Sequence, residues 1–360
     1  MNIVFDNIVF NMQKAGGVSR FWSNIISPYL KSETSLFIEK PDNNKNLFHR
    51  NIEASQCVND HPIPNQIARY LNFKRQFFND DFIFHSSYFR VNSAIGCKNV
   101  TTVHDLMYEK FRKDICASIH IKQKNIALQC SDAIVCVSEH TRQDLYEFYP
   151  FCKKKLVTVI PNGVEGFHKV EFTAELSEKY NIKNPNSYFL YVGHRGWIKR
   201  FDLVFEAIGM LGNATQCVVV GDPFSKNEMQ MIHDRGYENL IINVGKVNDK
   251  VLNCLYSQAL FYFFPTEYEG FGIPPLEAML TGCPVLASNR SSVPEVVGKA
   301  AVLFDPSDIM SLKAGIEKIN EKDVRVQLTA LGFEHASKFT WKSVTDSYDR
   351  LYSSLLEGSL

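Results

Sequence analysis

Carboxylates, cations and an imidazole recur in this sequence at places suited to an anionic, hydroxyl-rich ligand. Glu269 and Glu277 bracket the run Glu269-Gly-Phe-Gly-Ile-Pro-Pro-Leu-Glu277. A carboxylate aimed at a phosphate would repel it, so each is better suited to hydroxyls: Glu269 to a sugar, Glu277 to a ribose. The helix start between them offers backbone N–H groups to an anion such as a diphosphate. Arg195, Lys199 and Arg200 cluster in Gly193-His-Arg-Gly-Trp-Ile-Lys-Arg200. There an arginine would grip phosphate with a fixed fork and a lysine as a point charge. His104, in Thr101-Thr-Val-His-Asp105, could hydrogen-bond a sugar hydroxyl or shuttle a proton. Gly16 and Gly17 lack the Cβ that keeps a backbone away from phosphate. Singly, each has a plainer reading as a helix-dipole partner, a solvated charge, a structural histidine or a turn. Together they favour a site.

Those residues need strands and helices to hold them. Ala259–Phe264 is an apolar, aromatic run ending at Pro265, the pattern of a buried parallel strand. Glu269 is expected in the loop at its carboxyl end, and Glu277 in the first turn of a helix whose start tolerates Pro274 and Pro275. Tyr188–Val192 precedes the basic loop, and Thr215–Val220, Leu240–Asn243, Pro284–Ala287 and Ala301–Phe304 complete about six strands in this half. In the first half, Ile3–Phe10 reads as a strand kinked at Asp6-Asn7, followed by the glycines and an amphipathic helix to about Leu30. Short strands at Phe82–Phe84 and Val100–Val103 end at His85, a lesser candidate, and His104. Residues 40–65 read as a polar surface loop, and Asn65–Asn79 has helical spacing with interleaved Arg69, Lys74 and Arg75. Ala133–Val137 is a strand and Ser138 caps a helix through Tyr149. Leu156–Ile160 ends in Pro161-Asn-Gly-Val164, after which 165–186 reads as a linker with a short helix. Strands alternating with helices imply parallel sheets in two α/β domains.

Composition narrows the field. The chain has 360 residues, 39 basic and 39 acidic, so no polybasic field for nucleic acid is expected. The first 165 residues carry about +4 and the remainder about −4. That asymmetry suits an anionic acceptor or a lipid surface on the first half. Nine scattered cysteines, an odd number without close metal-type pairs, read as reduced cytosolic thiols. Neither a signal-peptide plan nor an apolar run of about 20 residues is present, so a cytoplasmic chain is expected, with peripheral contact at the inner membrane face left open.

The run Glu269-Gly-Phe-Gly-Ile-Pro-Pro-Leu-Glu-Ala278 resembles the signature of the retaining, nucleotide-sugar-dependent glycosyltransferases of family four. The glycine loop, the His104-Asp105 pair, Pro161-Asn-Gly-Val164 and the basic loop resemble further parts of the same family. The resemblance implies the GT-B fold, with two Rossmann-like domains whose parallel sheets face across a cleft. The domains would be 1–165 on the acceptor side and 166–338 for the nucleotide sugar, and a helix at 339–360 would pack back on the first. It implies Glu269, His104 and Lys199 as catalytic residues. Gly16, Gly17, Arg195, Lys199, Val247, Gly270, Phe271, Gly272, Ile273 and Glu277 would bind the donor. Spacing in the basic loop is shorter than in many members, which leaves Arg195 and Arg200 competing for the phosphate. The chain has no Asp-x-Asp, so no metal and no other cofactor is expected. Partners would be a nucleotide-sugar donor and a glycan or lipid-linked glycan acceptor. The glycine, histidine and His194-Arg-Gly features look most like bacterial mannosyltransferases of surface polysaccharides of O-antigen or capsule type. That resemblance points to GDP-mannose, with a UDP-sugar as the alternative.

Other classes remain in competition. A dinucleotide oxidoreductase would want Gly-x-Gly-x-x-Gly after a strand, which the Gly16-Gly17 loop lacks. A non-catalytic nucleotide-sugar-binding subunit would not require the full set of Glu269, Glu277, Lys199 and His104. An isomerase of the same fold would be exposed by its product in the absence of acceptor.

Overall fold

A computed structural model describes all residues except 13, 15, 40–45, 50–51, 53–54, 61–63, 172–177, 183–185 and 359–360. The chain divides into two compact units, Met1–Gly163 with Trp341–Leu360, and Val164–Thr340.

The first unit is a seven-stranded parallel sheet. In chain order its strands are β1 Ile3–Asp6, β2 Ser35–Glu39, β3 Cys57–Asn59, β4 Phe82–His85, β5 Cys97–Val103, β6 Ala133–Cys136 and β7 Leu156–Val159. Their spatial order is β3-β2-β1-β4-β5-β6-β7, so the winding reverses between β1 and β4. Strands covered on both faces read as unbroken apolar runs, and β1, β4 and β6 are buried throughout. Trp341–Glu357 lays Trp341, Val344, Tyr348, Leu351, Tyr352 and Leu355 into the same core as Phe5, Phe21 and Ile83. Its hydroxyls also tie down the sheet: Tyr352 bonds His85 Nδ1 at 2.6 Å, and Thr102 Oγ1 lies 2.9 Å from His85 Nε2 and 3.0 Å from the Tyr348 hydroxyl.

The second unit is a six-stranded parallel sheet, as expected. Its strands are β8 Tyr188–Val192, β9 Gln216–Val220, β10 Ile241–Gly245, β11 Phe261–Phe264, β12 Val285–Ser288 and β13 Val302–Phe304. The order β10-β9-β8-β11-β12-β13 reverses between β8 and β11. Both units are therefore Rossmann-like, and the fold class is GT-B. The chain leaves the first unit at Gly163, where only glycine fits: a Cβ there would lie 2.7 Å from Trp341.

Four expectations need correction. Ile3–Phe10 is not one strand: β1 stops at Asp6 and Ile8–Met12 is helical. Asn7 N–H donates to the Ile38 carbonyl of β2 while the Asn7 carbonyl accepts from Phe10, which turns the chain out of the strand into the helix. The glycines thus follow a helical turn rather than the strand end, and the helix from Gly17 ends at Ile26. Residues 40–65 include the edge strand β3, paired with β2, although several of their number lie outside the described residues. Asn65–Asn79 is helical only over Asn65–Ala68. Beyond it Phe73 exchanges backbone hydrogen bonds with Val91 and Ser93, and Asn92 caps both backbone groups of Arg75, so tertiary pairing overrides helical spacing. The short helix expected within 165–186 falls partly on residues outside those described.

Candidate functional site

Ligands of open α/β sheets bind at the carboxyl ends of strands where the winding order reverses. In the second unit that reversal lies between β8 and β11, and the two loops leaving these strands carry the basic cluster and Glu269. The loops are tied together by backbone: Glu267 N–H donates to the Ile198 carbonyl at 2.7 Å, and Thr266 Oγ1 reaches the same oxygen at 3.2 Å. Across this joint Lys199 Nζ pairs with Glu269 Oε1. Both side chains retain some exposure, 33% for the lysine and 16% for the glutamate.

Glu269 is held from below. Its N–H donates to Ser291 Oγ at 2.8 Å, while Ser292 Oγ bonds the carbonyls of Glu269 and Phe271, each at 2.9 Å. Ser291-Ser292 therefore braces the acidic loop, a structural role. Gly270, Phe271 and Gly272 complete that loop, and Gly272 turns into the helix Ile273–Leu280 with φ 95°. A side chain at 272 would be strained there and would press on the Phe264 ring at 3.3 Å. In the first turn of this helix Ile273 keeps an N–H with no carbonyl one turn earlier to bond, while Pro274 and Pro275 carry none.

Glu277 differs from expectation. The helix begins at Ile273, ahead of both prolines, so Glu277 falls in the second turn rather than the first. Glu277 is buried, with the Tyr256 hydroxyl donating to it at 3.3 Å.

The two arginines are both engaged. Arg195 Nε donates to Glu228 at 2.6 Å and Nη2 to the Pro223 carbonyl at 2.7 Å, while its buried Nη1 has no partner among the described residues. Arg200 holds Asp202 and, through Nη1, Glu267 at 2.7 Å and the Pro306 carbonyl at 2.8 Å. Gly221, at the end of β9, allows the β8 loop to approach: a Cβ there would stand 2.7 Å from the Gly193 carbonyl. Val247 lies in the loop after β10, just before Asn248 caps the next helix.

In the first unit the reversal lies between β1 and β4, and a cavity of about 240 Å³ opens there. Its lining comes from the segments after β1 (Val9, Met12, Val18), β4 (Ser87, Tyr88, Phe89) and β5 (His104, Asp105, Tyr108), joined by His120 and Lys124. Gly17 lies just ahead of Val18 and has open space where a Cβ would project, and Gly16 caps that helix. Asp6 fixes the first two segments, accepting from Ser87 N–H at 2.9 Å and Ser87 Oγ at 2.6 Å, while Val9 N–H donates to the same hydroxyl. Burial, followed by the Lys124 ammonium, pushes His104 down to about 3, so its imidazole is neutral. His104 Nε2 is buried without a partner among the described residues. His85, by contrast, has both ring nitrogens bonded and belongs to the core.

Lys124, Tyr108 and His120 escaped the sequence reading. They sit on the helices Met107–Phe111 and Ile115–Cys130, where Ile115, Ile119 and Ile126 are exposed while Lys124 and Gln123 are buried. That inversion of the usual apolar-inside pattern hides the helix face that matters. The cap signal Asp114, which accepts Ala117 N–H at 3.0 Å, could have revealed the helix but not its orientation.

All nine cysteines are free thiols. Among the described residues no cluster of three or more His, Cys, Asp or Glu could hold a metal, and no helix is long and apolar enough to cross a membrane.

Comparison with known proteins agrees with this architecture. The family model described as Glycosyl transferases group 1 matches residues 172–332, and Glycosyltransferase Family 4 matches 41–165. The chain belongs to the family 4 glycosyltransferases. It is 28% identical to an O-antigen chain mannosyltransferase B of Escherichia coli, over 76% of this chain and 75% of that protein. It is 25% identical to the serotype-specific mannosyltransferase WbdA of Escherichia coli over 86% of its own length, but spans only 40% of that longer protein. Among solved structures it resembles Anabaena HepE in complex with UDP and glucose, at TM-score 0.77 and 17% identity over 98% of this chain and 100% of that one. A sucrose-phosphate synthase from Thermosynechococcus elongatus gives TM-score 0.76 and 18% identity over 99% and 100%.

Proposed function

We propose that the chain is a retaining hexosyltransferase that moves mannose from GDP-mannose to a glycan or lipid-linked glycan acceptor of a bacterial surface polysaccharide. The observation that carries this reading is the Lys199–Glu269 pair on the two loops at the β8/β11 reversal, directly before the glycine-started helix. The named mannosyltransferases support mannose as the transferred sugar. The HepE complexes with UDP and UDP-glucose keep a UDP-sugar as the second reading.

In this mechanism the donor's diphosphate displaces Glu269 from Lys199 and takes the ammonium, the Arg195 guanidinium and the amides from Gly270 to Ile273 as its partners. Glu269 then turns to the sugar's hydroxyls and faces the positive charge growing at the anomeric carbon. Glu277 holds the ribose, and the backbone near Val247 meets the base. An acceptor hydroxyl forms the new bond to that carbon as the bond to the phosphate oxygen breaks. The acceptor proton passes to the departing phosphate oxygen, and attack on the face the phosphate leaves retains the configuration. Neutral His104 offers a hydrogen bond to a sugar hydroxyl. Lysine, arginine and amides carry the leaving group's charge, so no metal is required. Each well-placed donor of this kind contributes on the order of 3–4 kcal/mol to the transition state.

Thermal stabilisation by GDP-, UDP- and other nucleotide sugars tests the donor, since a ligand at about 100 times its Kd adds roughly 2.7 kcal/mol. With the matching donor, Lys199→Ala and Glu269→Ala should each lower turnover at least tenfold, as on the order of 1.4 kcal/mol requires, with the fold intact and activity surviving EDTA. Near-wild-type turnover in both variants sinks the assignment.

A further inference from the structure

The loop after β8 ends in a turn that holds an indole out in water. Trp197 opens the turn Trp197–Lys199 and is 64% exposed, whereas Trp22 and Trp341, the chain's other two tryptophans, are 1% and 6% exposed. Single apolar residues on a surface are ordinary. This one stands apart because the backbone beneath it is fixed from several sides. The buried Tyr191 hydroxyl lies 3.2 Å from the His194 carbonyl and 3.3 Å from the Lys199 carbonyl, which closes the loop at its base. The Ile198 carbonyl accepts from Glu267 N–H and Thr266 Oγ1, and the Trp197 carbonyl accepts from Arg200 N–H at 3.2 Å. Arg200 ends the turn in the left-handed region, at φ 47°, a conformation that a residue other than glycine keeps only where its surroundings impose it. Here its bonds to Asp202, Glu267 and the Pro306 carbonyl do so. The loop is therefore ordered before any ligand arrives, and it displays its indole two positions before Lys199.

We propose that Trp197 is a stacking platform for an internal pyranose ring of a glycan chain, one that neither gives nor receives the transferred hexose, with His194 as its hydrogen-bonding neighbour. The inference rests on the glycosyl-transfer reading and adds to it a residue that selects for a chain over a single sugar. One face of a pyranose is lined with C–H groups, which match the negative face of an indole, while its hydroxyls point outward at the rim. His194 is exposed, and its Nδ1 accepts Gly196 N–H at 2.9 Å. In the neutral ring Nε2 then carries the proton and can donate to such a hydroxyl. The ring lies close over Gly196, where a Cβ would stand 3.1 Å from it, so it is held one position from the indole. An acyl chain would want a continuous apolar surface, yet Trp197 is the sole exposed large apolar residue of this loop. A nucleobase is drawn elsewhere, since the proposed base contact near Val247 follows β10, on the far side of β9.

The test uses the full chain, in which Trp197 is its own reporter because the other two tryptophans are buried. Acrylamide quenching of tryptophan fluorescence is measured with trisaccharides of mannose, glucose, galactose and N-acetylglucosamine, and separately with GDP and UDP. At least one trisaccharide should shield the indole and shift its emission to the blue. Saturation-transfer NMR with that trisaccharide gives an affinity in variants that lack the reporter. Trp197→Ala should weaken it at least about fivefold, the scale of one aromatic contact. Trp197→Tyr, which restores a flat ring, should retain most of it, and His194→Ala should cost about threefold, the scale of one hydrogen bond. The thermal shift with nucleotide should stay within about 1 °C of wild type in all three variants. Failure of every trisaccharide to shield the indole overturns the proposal, as does an affinity that survives Trp197→Ala or falls equally in Trp197→Tyr. Shielding by GDP or UDP alone as complete as that by the trisaccharide also overturns it, because the indole would then stack on the base. If neither nucleotide stabilises the wild-type chain, the donor reading of the second unit is what fails, and the trisaccharide result still stands on its own.

Discussion

Each unit carries a lysine–glutamate pair beside its strand-order reversal, and the two pairs are built differently. Lys124–Glu109 is almost fully buried, with side-chain exposures of 1% and 3%, and both partners have further bonds to Asp105 and Tyr149. Lys199–Glu269 is partly open, and among the described residues neither charged group has another side-chain partner as well placed. A buried, multiply bonded pair cannot exchange partners without stranding a charge, so it acts as scaffold. A half-open pair can trade one carboxylate for a phosphate at little cost, because water already screens it. The first unit thus presents a fixed, largely neutral cavity, while the second presents charges at rest on each other.

Matched glutamine variants separate the two designs most sharply. Glu109→Gln should destabilise the first unit by about 3 kcal/mol or more, since it leaves Lys124 buried and unpaired. Denaturant unfolding reads that loss. Glu269→Gln should cost little stability, yet turnover should drop by about a hundredfold, on the scale of one lost transition-state contact. It should also tighten GDP binding by about 1 kcal/mol, several-fold in Kd, because Lys199 no longer has a competing carboxylate. Calorimetric titration with GDP decides this point. Unchanged or weaker GDP binding would mean that the pair does not open for the diphosphate.

The same contrast governs what could be read from sequence. Strands such as Tyr188–Val192 and Phe261–Phe264 are legible because a parallel strand covered on both faces must be a continuous apolar run. The glycine–proline run after β11 is legible because few other residues turn a strand end so tightly into a helix, and it led directly to Glu269. Two kinds of feature stayed hidden. The Asn65–Asn79 aromatics have helical spacing, yet Phe73 is held by backbone bonds to residues almost twenty positions away, which no local pattern encodes. The cavity wall was missed because Ile115–Cys130 turns lysine and glutamine inward and isoleucine outward. Strand-end position alone does not separate His85 from His104; the family resemblance is what ranks His104 first. Packing then shows one saturated by Tyr352 and Thr102 and the other with a nitrogen that has no partner among the described residues.

His85 makes the first unit sensitive to acid. Burial, with His104 second, pushes it down to about 3, well below the ordinary 6.5. A histidine whose folded pKa is depressed contributes stability above its unfolded pKa, and that contribution is lost as pH falls from about 6.5 toward 3. Between pH 6.5 and 5 the loss approaches 2 kcal/mol for this one group. His104 and His120 shift in the same direction and, being partly exposed, add less. Hydrogen exchange at pH 7 and pH 5, corrected for intrinsic rates, should show protection falling in Phe82–His85 and in Trp341–Glu357, which His85 joins through Tyr352. His85→Asn should flatten that dependence while lowering stability at pH 7. Equal protection at both pH values in the native chain would contradict the neutral, buried imidazole.

The smallest effect is expected at Arg200, and it bears on which arginine meets the phosphate. Arg200 is committed to Asp202, Glu267 and the Pro306 carbonyl, and its side chain is partly exposed. Pairs of that kind contribute about 0–1 kcal/mol, so Arg200→Ala should shift stability by less than about 1 kcal/mol. Turnover should change less than about threefold, equivalent to well under 1 kcal/mol at the barrier. Arg195 is nearly buried and keeps Nη1 without a partner, so a diphosphate oxygen arriving there would satisfy a group that is otherwise stranded. Arg195→Ala should accordingly weaken GDP binding by about 1.5–3 kcal/mol, the worth of a hydrogen bond to a charged group, where Arg200→Ala does not. If the two variants exchange these outcomes, the diphosphate lies toward β13 rather than β9, and the half-open pair of Lys199 must be approached from the opposite side.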